Sequence, residues 1–171
     1  MISIGGSVNR VIRSAKLGDV DAIVALLQTY AELGLLLPRS KQSVCEGLLS
    51  FVVAEEAGRV VGTAALHILG PDLAEIRSLA VVQNAQGNGY GRLLVDTLLD
   101  QGQRLEVPKV LALTYQETFF ARCGFRVVDM RGLQQKIWKD CIHCKKYSAC
   151  DEIAMIYETT AFSATGDLQV G

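Results

Sequence analysis

Gln86-Gly87-Asn88-Gly89-Tyr90-Gly91-Arg92 is the stretch on which the reading of this chain turns. It follows an extended run ending Leu79-Ala80-Val81 and opens a segment in which Leu93, Leu94, Leu98 and Leu105 recur at helical spacing, so it joins a strand to a helix. Its alternating glycines let the backbone enter φ > 0 regions and approach a ligand with no Cβ in the way. Successive amide N–H groups at the positive end of a helix then form a cup for a pyrophosphate. Arg92 adds a local cation. A Walker A loop requires Gly-Lys-Ser/Thr at its end, and a dinucleotide fingerprint starting at Gly87 requires glycine where Arg92 stands; both patterns fail.

On the N-terminal side, Val11-Ile12-Arg13 reads as a short strand, and Asp19 opens a helix with Ile23, Leu26, Leu27 and Tyr30 on one face. After the apolar loop Leu35-Leu36-Leu37-Pro38-Arg39, Ser40 caps a second helix carrying Val44, Leu48 and Leu49. Phe51–Glu55, Arg59–Ile68 and Ala74–Val82 form an antiparallel meander with turns at Ala57-Gly58 and Gly70-Pro71-Asp72. Beyond the Leu93 helix, Val110–Leu113 is a strand, Thr118–Cys123 a helix ended by Gly124, and Phe125–Val128 a last strand. The order β-α-α-β-β-β-α-β-α-β, with a right-handed crossover through the Leu93 helix, implies an α/β fold with a mixed central sheet and helices on both faces. One domain is expected over residues 1–158, with a frayed polar tail at 159–171.

Lys and Arg total 17 against 18 Asp and Glu, a formal charge of -1, so no general attraction to nucleic acid or anionic membrane is expected and any anion site is local. The chain holds no apolar run of membrane-spanning length and no signal-peptide pattern at Met1–Arg10, which places it in the cytoplasm. Of its 5 cysteines, Cys141, Cys144 and Cys150 crowd together near His143. Packed reduced thiols, a disulfide and a zinc site are the alternatives, and the cramped spacing argues against metal.

The Gln-x-x-Gly-x-Gly spacing after Leu79-Ala80-Val81 resembles the acetyl-CoA loop of the GNAT N-acetyltransferases, and Phe119-Phe120-Ala121-Arg122-Cys123-Gly124-Phe125 resembles that family's aromatic-helix-Gly-Phe ending. The resemblance runs from about Val11 to Val128. It implies the GNAT fold, acetyl-CoA as co-substrate, and a cofactor site made by Leu79, Ala80, Val81, Gln86, Gly87, Asn88, Gly89, Tyr90, Gly91, Arg92 and Phe120. Many members carry a tyrosine where Phe120 stands, to protonate the departing thiolate; Phe120 has no proton to give, so that role passes to another group or to water.

Several GNAT enzymes place a glutamate base on the strand before the phosphate loop, and Glu75 occupies that place. Alternation puts Glu75 and Arg77 on one face, so a structural ion pair is the competing reading. Val11 through Ser40, Gly62–Leu66 and Leu113-Thr114 together resemble the short, kinase-less bacterial N-acetylglutamate synthases of arginine biosynthesis, as does part of Lys136–Ala154. This likeness implies Thr114 as a second catalytic residue and L-glutamate as the small-molecule acceptor. An amino-dicarboxylate needs cationic partners, for which Arg39, Arg77 and Lys136 are the candidates. Acetylation of another small amine, of a protein N-terminus or lysine, and acetyl-CoA binding without turnover are the alternatives; a homodimer is one option for assembly.

Overall fold

The computed structural model describes residues 8–133 and 150–161. The elements are β1 (Arg10–Ser14), α1 (Val20–Glu32), α2 (Lys41–Glu46), β2 (Phe51–Glu56), β3 (Arg59–Gly70), β4 (Leu73–Val81), α3 (Tyr90–Arg104), β5 (Lys109–Thr114), α4 (Glu117–Arg122), β6 (Arg126–Val127) and β7 (Ile153–Glu158). The strands follow the hydrogen-bonded order β1-β2-β3-β4-β5-β7-β6, a mixed sheet as the sequence implies. The chain divides into two compact units, Met1–Ala64 with Ser78–Leu94 and Ala65–Arg77 with Val95–Gly171.

In the first unit, β1 runs antiparallel to β2 from Arg10↔Glu56 to Ser14↔Val52. The α1 stripe buries Val20, Ile23, Leu26 and Leu27. Asp19, read as the residue that opens this helix, makes no side-chain cap to it. Its carboxylate instead accepts both Nη groups of Arg13 (2.7 and 2.9 Å) and the Lys16 N–H, while Arg13 Nε donates to Glu55 at 2.8 Å. The bidentate Arg13 pair holds the Asp19 carboxyl below the usual aspartate range, against the opposing effect of its burial. Ser40 caps α2 as expected, accepting the Ser43 N–H at 3.1 Å. The helix stops at Glu46, earlier than the leucine spacing suggests, because Gly47 lets the chain tighten into a 3₁₀ turn at Leu48–Ser50 that leaves Leu49 exposed.

Gly62 on β3 explains why that strand lies close under α3. A Cβ there would meet Leu94 Cδ1 at 3.1 Å, Ala80 O at 3.3 Å and Ala54 Cβ at 3.4 Å. Only glycine fits this approach without displacing its neighbours.

In the second unit, β4 and β5 pair in parallel from Leu73↔Lys109 to Ile76↔Ala112, the crossover expected through α3. Pairing stops there, although β4 continues to Val81 and β5 to Thr114. β7 lies between β5 and β6 and is antiparallel to both. The sequence reading lacked this strand. Its Ala154 and Ile156 form one buried cluster with Leu73, Leu111 and Leu133. Gly124 ends α4 as read, at φ 94°, with the Phe125 N–H returning to Phe120 O at 3.0 Å. The last strand is shorter than expected, Arg126–Val127 alone, because Phe125 is drawn into the core by Phe120 and Tyr157. Thr159, where the expected tail begins, is buried and donates its hydroxyl to Val107 O at 2.6 Å; residues 162–171 lie outside the described residues.

Candidate active site

In the first unit, the glycine stretch read as a phosphate loop joins β4 to α3. β4 ends at Val81, a 3₁₀ turn spans Gln83–Ala85, and α3 starts at Tyr90, its first intrahelical bond running from the Leu93 N–H to Gly89 O at 3.1 Å. The N–H groups of Tyr90 and Gly91 precede that bond, in the first turn where helical amides ordinarily lack an intrahelical acceptor. Gly87 and Gly89 adopt φ 80° and 85°, and nothing lies within 4 Å of where a Cβ would stand on either. Packing therefore does not demand glycine here. The left-handed backbone does, and the space beyond is open to a ligand. These features suit a diphosphate held by backbone amides at the positive end of a 15-residue helix.

Two sets of contacts hold the loop. At its helical end, the Arg10 guanidinium donates to Asn88 O at 3.3 Å and lies 5.3 Å from the Tyr90 ring centroid. The buried Tyr90 donates its hydroxyl to Glu56 at 2.8 Å. Burial, then the neighbouring Glu56 carboxylate, pushes the Tyr90 phenol up. The Tyr90 side chain, expected among the cofactor residues, is thus part of the loop's support. At the strand end, Tyr30 donates to Val81 O at 2.5 Å, and the Gln86 amide donates to both Val81 O and the Tyr30 oxygen. Arg10, Glu56 and Tyr30 went unread as functional residues. For Tyr30 a signal existed: it is the one hydroxyl-bearing residue on an otherwise aliphatic helix stripe.

Leu79, Ala80 and Val81 form the end of β4, just past Ser78, which has φ 57° in mid-strand. A serine at positive φ kinks a strand and changes which edge its amides serve. Arg39 is half-buried in the loop before α2, with Nη2 3.9 Å from the Cβ position of Gly47.

The second unit brings Glu75 and Arg77 together. Arg77 Nε donates to Glu75 Oε2 at 2.7 Å, with the Glu75 side chain 4% exposed and that of Arg77 17%. The ion-pair reading of these residues is therefore realised. Glu75 pairs in register with Leu111, and Thr114 stands three positions further along β5, so Glu75 and Thr114 point to opposite faces of the sheet. Thr114 Oγ1 accepts the Gln116 N–H at 2.7 Å and closes the turn into α4. Phe120 is buried, packed edge-on against Phe119 and Phe125 with centroids 5.1 Å apart in each case. Lys136, Cys141, His143 and Cys144 lie outside the described residues. Among the described residues no group of His, Cys, Asp and Glu is arranged to hold a metal, no disulfide joins Cys45, Cys123 and Cys150, and no helix is long and apolar enough to cross a membrane.

Comparison with known proteins agrees with this geometry. The model of the Acetyltransferase (GNAT) family matches residues 25–125, and the chain belongs to that family. It is 37% identical over 140 residues to the amino-acid acetyltransferase of Mycobacterium tuberculosis, covering 80% of this chain and 79% of that one. The crystal structure of Rv2747 from M. tuberculosis, solved in complex with CoA, superposes with a TM-score of 0.77 at 32% identity over 86% of this chain and 98% of its own. The N-acetylglutamate synthase of Neisseria gonorrhoeae, complexed with coenzyme A and N-acetyl-glutamate, gives a TM-score of 0.76 at 26% identity over 88% of this chain but only 35% of that longer one.

A side chain at position 89 should push a diphosphate off its amide donors and strain the left-handed backbone. Gly89→Val is expected to weaken CoA binding by more than about tenfold in calorimetry, in a protein that still unfolds cooperatively.

Proposed function

We propose that the chain transfers the acetyl group of acetyl-CoA to the α-amino group of L-glutamate, as an N-acetylglutamate synthase. The open glycine loop at the start of α3 carries the acetyltransferase part of this reading. The acceptor rests on resemblance along most of the chain to amino-acid acetyltransferases and on the cations available. Arg39 and Lys136 are proposed as carboxylate partners of the substrate. Arg77 is a weaker candidate, since its Nε is committed to Glu75.

The reaction forms a C–N bond and breaks a C–S bond. An amino acid's ammonium, with a pKa of ~8 to 10, first loses a proton; the neutral nitrogen attacks the thioester carbonyl, and the thiolate departs and is protonated. Glu75 is proposed as the base, acting directly or through one water. Arg77 would hold its carboxylate oriented toward the amine or the bridging water. Phe120 takes no part in proton transfer, so the thiolate is proposed to take its proton from water.

A thiol-release assay across amino acids tests the acceptor. L-Glutamate should be the best substrate. Glutamine leaves the side-chain cation unpaired, a penalty of about 1 to 3 kcal/mol or roughly tenfold to over a hundredfold in kcat/KM, and aspartate falls one methylene short. Equal or faster turnover of glutamine, lysine or a peptide N-terminus would overturn the glutamate assignment and leave the acetyltransferase intact.

Glu75→Gln should lower kcat by about 10² or more with little change in CoA affinity, and the loss should shrink as pH rises and the amine deprotonates unaided. An unchanged rate at neutral pH would return Glu75 to a purely structural pair.

A further inference from the structure

We propose that Tyr30, on α1, is a positioning residue for the diphosphate of acetyl-CoA, acting through Val81 O and the Gln86 side chain. Val82 donates its N–H to Val61 O at 2.8 Å, across to β3. By strand alternation the N–H and C=O of Val81 point to the opposite edge of β4. On that edge Val81 O is the last strand acceptor before the loop. It receives the Tyr30 hydroxyl at 2.5 Å and the Gln86 Nε2 at 3.3 Å, and Nε2 also meets the Tyr30 oxygen. Three groups from α1, β4 and the loop thus close one ring of hydrogen bonds.

This ring fixes the residue at which the loop turns. Gln86 is exposed, in an extended backbone conformation (φ -63°, ψ 151°), and is followed at once by the left-handed Gly87. Its backbone N–H meets Gln83 O at 3.3 Å, and the bonds from its side chain to Val81 O and Tyr30 add the tie to β4 and α1 that the turn alone lacks. Without it the amides from Gly87 onward lose their common direction, and a ligand that needs several of them at once must order the loop as it binds. Tyr30 is far from the chemistry in this scheme and donates no proton to substrate. Its hydroxyl acts on cofactor affinity alone.

This inference rests on the loop being the diphosphate site, and the tests separate the two. Tyr30→Phe keeps the ring and removes only the hydroxyl. It should raise the Kd for CoA and the KM for acetyl-CoA about tenfold, while kcat and the KM for the amino-acid acceptor move less than about twofold. Gln86→Ala should do the same, and the double variant should be scarcely worse than either single one, because both break one ring. A purely structural hydroxyl would lower the melting temperature and leave the CoA Kd unchanged, which would overturn the proposal. So would independent, multiplying effects of the two substitutions. If Gly89→Val weakens CoA binding while Tyr30→Phe and Gln86→Ala do not, this inference fails alone; if none of the three matters, the loop assignment fails with it.

Discussion

Backbone amides can bind a diphosphate only where they converge, point outward and are not already spent on the fold. In this chain the proposed place for that is the start of α3. Helix N-termini present amides without helical acceptors, and the glycines before this one hold φ values that leave the approach open. Much of the first unit serves this arrangement. Gly62 lets β3 lie close beneath Leu94, the buried Tyr90 ties the helix start to Glu56, and Arg10 braces Asn88. A formal charge of -1 gives no general attraction to an anion, so holding one falls to local chemistry.

The loop and the element order were legible because they are written in residues with a strong conformational meaning: glycines between a strand and a helix, a capping serine at position 40, a glycine stop at 124. What escaped is carried by tertiary context. Ser78 adopts positive φ with no residue-level signal, since serine rarely takes that conformation unless its surroundings impose it. β7 went unread because Ile153–Glu158 follows the cysteine-rich stretch and is a short apolar run that periodicity cannot assign. Asp19 looks like a helix opener, but the bidentate Arg13 contact outcompetes a neutral cap.

The candidate site was legible unevenly for the same reason. Strand alternation joined Glu75 to Arg77, and the structure makes that contact at 2.7 Å. The same alternation, applied once β4 and β5 are in register, separates Glu75 from Thr114, which resemblance had grouped as catalytic. Register is a pairing property that neither strand reveals alone. The buried Glu75–Arg77 pair also shapes the chemistry. A carboxylate this enclosed is costly to keep out of water without a cation, so mutational effects at Arg77 combine lost orientation with lost charge.

The measurement that bears most directly on the phosphate loop is an amide NMR titration of the isotope-labelled protein with CoA. The N–H resonances of Gly87, Gly89, Gly91 and Arg92 should show the largest shifts, with the Tyr90 amide moving alongside them. Saturable binding that leaves those amides unmoved and shifts others instead would contradict the account.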